Sequence, residues 1–126
     1  MALIPVSNMY PDSNEDRAFP NEKVLNLGLK LAMEWGGDWL KPIQARLSAI
    51  EPALTDTQLD DYNAICQEAM KFGHAKMYEL AEKAGSGVDQ DAFFRVFKDR
   101  YPWASDENMA HCFSQGMYYA WKDGLV

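Results

Sequence analysis

The chain is short of the residues on which most protein chemistry depends. Two histidines and two cysteines are its whole supply of imidazole and thiol, and Cys66, His74, His111 and Cys112 do not have the paired spacings of a zinc site. Its eight glycines are scattered and form neither a phosphate-binding loop nor a dinucleotide fingerprint. No apolar run approaches the roughly 20 residues needed to span a bilayer. Basic residues are also scarce, 12 Lys and Arg against 19 Asp and Glu, for a net charge of −7. That balance disfavours nucleic acid and an anionic membrane surface as partners, since both need a basic patch. Neither an internal repeat nor a pair of strand-like runs joined by a tight turn is present.

The acidity has a local cause. Glu22, Asp56, Asp89, Asp91, Asp106 and Glu107 fall at helix starts, where the backbone dipole favours negative charge. They do not form the regular rows of a nucleic-acid mimic.

What the chain does contain is apolar mass. Of 126 residues, 48% are hydrophobic and 13% aromatic, which excludes disorder and suits one domain with one core. Four helix-start signals divide it. The clearest is Leu54-Thr55-Asp56-Thr57-Gln58-Leu59: Thr55 caps the first free amides, Gln58 reaches back to the cap, and Leu54 and Leu59 close over both as a staple. Asn21, Asp89 and Ser105 open three more stretches in the same manner. The expected fold is all-α, a single-domain bundle of four to five helices, antiparallel or orthogonal, over residues 21–126. Residues 1–20, with Pro5, Pro11 and Pro20, are expected to form an irregular N-terminal arm. Its apolar start, Ala2-Leu3-Ile4-Pro5-Val6, is suited to docking on its own bundle or on a second copy.

The first helix, from Glu22 to about Trp35, carries one narrow polar stripe (Lys23, Asn26, Lys30, Glu34) and is expected in the middle of the bundle. Gly36-Gly37-Asp38-Trp39-Leu40-Lys41-Pro42 interrupts it, either as a kink or as a break with Pro42 opening a new helix. The longest helix, Asp56 to about Ala84, has a seam of Leu59, Tyr62, Cys66, Ala69, Gly73, Met77, Leu80 and Ala84. Small residues in mid-seam predict a close helix crossing there. Phe93, Phe97 and Tyr101 stack along a shorter helix that Pro102 stops. The last helix runs from Asp106 to Asp123 with Met109, Phe113, Gly116 and Ala120 inward.

Candidate chemistry is thin. Glu107 and His111 share a helical face as a metal half-site, but the paired Glu-x-x-His motifs of a di-iron bundle are missing. Asp89-Gln90-Asp91 lacks the later oxygens of a calcium loop. His111 and Cys112 point about 100° apart on one helix, and a Cys66–His111 pairing would need tertiary contact. No catalytic residues, no metal and no cofactor are assigned. An enzyme would require His74 or His111 in a cleft beside Glu34, Glu68 or a cysteine. Cys66 and Cys112 are expected reduced and buried, with a bridge between adjacent helices as the alternative. Met1 to Tyr10 has neither a basic start nor a long apolar stretch, so no signal peptide is expected and the expected location is cytoplasmic.

The aromatic residues are the best functional lead. Tyr118, Tyr119 and Trp121 spread around the last helix, and Trp103 sits in the connector before it. Exposed, they would anchor a protein partner; the opposite reading leaves each half-buried with its polar tip in water. The expected function is a non-catalytic protein–protein interaction module binding a protein partner or forming a homodimer, with no nucleic acid and no membrane. The alternative is a small-molecule or cofactor binder with a pocket between helices, lined by Trp35, Trp39, Met70, His74 and Met77.

Overall fold

Helix caps set the elements of the computed structural model, which describes residues 19–34 and 40–125 except the Ser86 side chain. The expected arm over residues 1–18 and the break at Trp35-Gly36-Gly37-Asp38-Trp39 lie outside the described residues. Among the described residues there are five α-helices and no strand: α1 Glu22–Ala32, α2 Gln44–Ile50, α3 Asp56–Ala84, α4 Gln90–Arg100 and α5 Asp106–Lys122. None of them is long and apolar enough to cross a membrane.

Each expected cap is in place. Asn21 accepts from the Val24 amide, Asp89 from Asp91 and Ser105 from Asn108. Thr55 and Gln58 form the reciprocal box, at 3.1 and 2.9 Å. Such a cap stabilises a helix by about 1 kcal/mol. α2 differs. It begins at Gln44 rather than at Pro42, and its cap residue Ile43 has no side-chain bond of its own. Asn63 on α3 supplies the missing acceptor, taking the Ile43 amide at 3.0 Å.

α1 is shorter than its pattern suggests. It closes at Ala32 rather than near Trp35 because the Met33 and Glu34 amides turn back onto Lys30 and Leu31. Arg46 holds that end: it donates to the Leu31 carbonyl at 2.9 Å and to Glu34 at 2.6 Å. The same guanidinium reaches the Lys41 and Pro42 carbonyls at 3.2 Å. One side chain thus ties together both flanks of the break.

The helices are not arranged as a simple antiparallel bundle. Contacts advance in the same direction along α1 and α3, from Asn21–Tyr62 to Leu25–Cys66. They also advance together along α1 and α5, from Asn26–Asn108 to Met33–Gln115. α1, α3 and α5 are therefore parallel. α2 and α4 run back between them, with Phe97 beside Gly73 and Tyr101 bonded to Glu68 further down α3.

The middle of the bundle belongs to α3, not to α1. α3 packs on all four other helices. Its seam follows the expected residues through Met77 and then shifts to Ala81, leaving Ala84 exposed. Gly73 is the predicted close crossing: a Cβ there would collide with Cys112 and Phe97. Two further notches match it, Gly28 against Cys66 and Gly116 against Met77.

Candidate interaction surface on the last helix

Ser105 starts α5, and a polar clamp fixes where it lies. Asn26, expected on the polar stripe of α1, donates to the Trp103 carbonyl at 2.7 Å and accepts from the Ser105 amide at 2.8 Å. Buried Asn108 donates back to the Asn26 carbonyl at 2.8 Å. With α5 held at that end, Asn108, Met109, Cys112, Gln115, Gly116 and Ala120 turn inward.

The outward residues of α5 form one stripe: Asp106, Glu107, His111, Ser114, Tyr118, Trp121 and Lys122 are exposed. From Glu107 to Trp121 they recur at intervals of four, three, four and three, the spacing of a helix–helix seam. Residues 108–121 contain no Asp, Glu, Lys or Arg, the longest uncharged run in the chain. An exposed helix face ordinarily carries charge. An open groove of about 630 Å³ follows this stripe, lined among the described residues by Ala110, His111, Ser114, Gln115 and Tyr118.

Tyr118 is 45% exposed and Trp121 65%. Their rings lie 6.1 Å apart, one turn from each other. Tyr119 is half-buried, its ring 5.9 Å from His74 and its carbonyl accepting from Tyr78 at 3.3 Å. Trp103 is also half-buried, edge-on to Tyr101 at 5.8 Å. It precedes the start of α5, roughly 25 Å from Trp121 at 1.5 Å per residue. The structure therefore brings Tyr118 and Trp121 together, sets Tyr119 beside them and leaves Trp103 at the other end. Among the described residues the remaining large exposed apolar side chains, Leu40, Ile50 and Val96, lie on three other segments.

Of the alternative pocket set, Met70 and Met77 are fully buried in the core, Met77 filling the notch at Gly116. His74 is half-buried, with Nε2 3.1 Å from Gln115 Oε1. None of these three lines the α5 groove, and Trp35 and Trp39 lie outside the described residues. Gln115 also donates from Nε2 to the Met33 carbonyl at 2.6 Å. Burial pushes the His74 pKa below its ordinary value; the Gln115 bond opposes this in part, and nearby His111 adds to it.

The cysteines are both free thiols, which rules out the bridge considered for them. Cys66 Sγ lies 3.3 Å from the Leu25 carbonyl, and burial pushes each thiol up to about 12. A thiol so protonated is no nucleophile. Glu34 is engaged by Arg46, and Glu68 by Tyr101 and Arg100. Among the described residues no group of three or more His, Cys, Asp or Glu is placed to hold a metal ion.

His111, Ser114 and Gln115 were not singled out for this surface from the sequence. The signal was the uncharged run at seam spacing, which aromatic content alone does not reveal. Comparison of the chain with family models, curated proteins and solved structures finds no match.

Proposed function

We propose that this chain is a non-catalytic interaction module that docks a protein partner along the exposed stripe of α5. The observation that carries the reading is the uncharged, exposed run His111, Ser114, Tyr118 and Trp121 on a helix clamped at its start. A charged stripe would have to be desolvated or paired on docking; this one does not. Tyr and Trp bury much apolar area with few rotatable bonds to freeze, and such anchors dominate binding energy at interfaces. The rigid α3–α5 packing presents them without a folding cost. The two protonated thiols suit a reducing, cytoplasmic setting.

The test is capture of the partner by the intact chain and by a Tyr118→Ala/Trp121→Ala variant of matched thermal stability. Loss of about 2 kcal/mol or more per anchor weakens the complex well over tenfold, whereas Ile50→Ala and Val96→Ala leave it intact. Undiminished capture by the double variant defeats the reading.

A further inference from the structure

We draw no further inference here: the strongest candidate, the open groove along the uncharged face of α5 between Ala110 and Tyr118, belongs to the surface already described, and nothing in the structure shows what covers it.

Discussion

Gln115 fixes the tautomer of His74. Its Nε2 is committed to the Met33 carbonyl at 2.6 Å, which turns Oε1 toward His74 Nε2 at 3.1 Å. An amide oxygen only accepts, so the neutral ring carries its proton on Nε2. This bond joins α1, α3 and α5 behind the groove.

The pH dependence of stability follows from the sign of the His74 shift. Burial lowers its pKa from the ordinary 6.5, with His111 acting in the same direction and the Gln115 bond against it. The unfolded chain then binds a proton at higher pH than the folded one. The stabilisation is complete above 6.5 and is lost as pH falls through the window below it. The thermal midpoint is expected to drop between about pH 7.5 and 5.5, by less in His74→Gln, which keeps an N–H donor. Equal slopes for both proteins would contradict the assignment.

The Asn26–Asn108 clamp predicts an order among variants. Asn108→Ala removes a donor that bonds the Asn26 carbonyl at 2.8 Å and costs about 1–3 kcal/mol. Asn108→Asp costs more, because it aims a carboxylate at that carbonyl. Urea midpoints of the three proteins check the order, and an Asp variant as stable as wild type would refute it.

Gly28 and Cys66 form a coupled pair. A Cβ at Gly28 would lie 2.7 Å from Cys66 Sγ and 3.2 Å from Ile43 Cδ1. Gly28→Ala is expected to destabilise by about 1–3 kcal/mol from overpacking, partly offset by about 1 kcal/mol of helix propensity. In a Cys66→Ala background the same substitution costs less. A double-mutant cycle with no coupling would show that the notch is not closed by the thiol.

Both cysteines are expected to resist thiol reagents at pH 8 in the folded chain and to react fully in urea. Burial holds them near 12, leaving on the order of one thiolate in ten thousand. Rapid stoichiometric labelling of native protein would contradict that burial.

Much of the fold was legible in local chemistry. The Thr55–Gln58 box, the caps at Asn21, Asp89 and Ser105 and the stacked Phe93, Phe97 and Tyr101 depend on residues within a few positions of each other. The parallel course of α1, α3 and α5 was not, because chain direction is set by α2 and α4 as crossovers rather than by any helix's own pattern. Asn26 read as solvent-facing; its two amide atoms find partners on the α5 connector more than 75 residues away. The aromatic lead was legible in part. Tyr118 and Trp121 share the exposed stripe, but Trp103 is drawn to the far end by the Asn26 bond to its carbonyl. Met70 and Met77 read as pocket candidates from composition, yet both are buried in the core, Met77 in the notch at Gly116.

The most direct test of the account is amide-resolved NMR of the full chain as the interaction is populated by concentration or by an added partner. The account predicts shifts and broadening confined to His111, Ser114, Tyr118 and Trp121 and their neighbours along the groove. Perturbation centred instead on Leu40, Ile50 or Val96, with the α5 stripe unchanged, would contradict it.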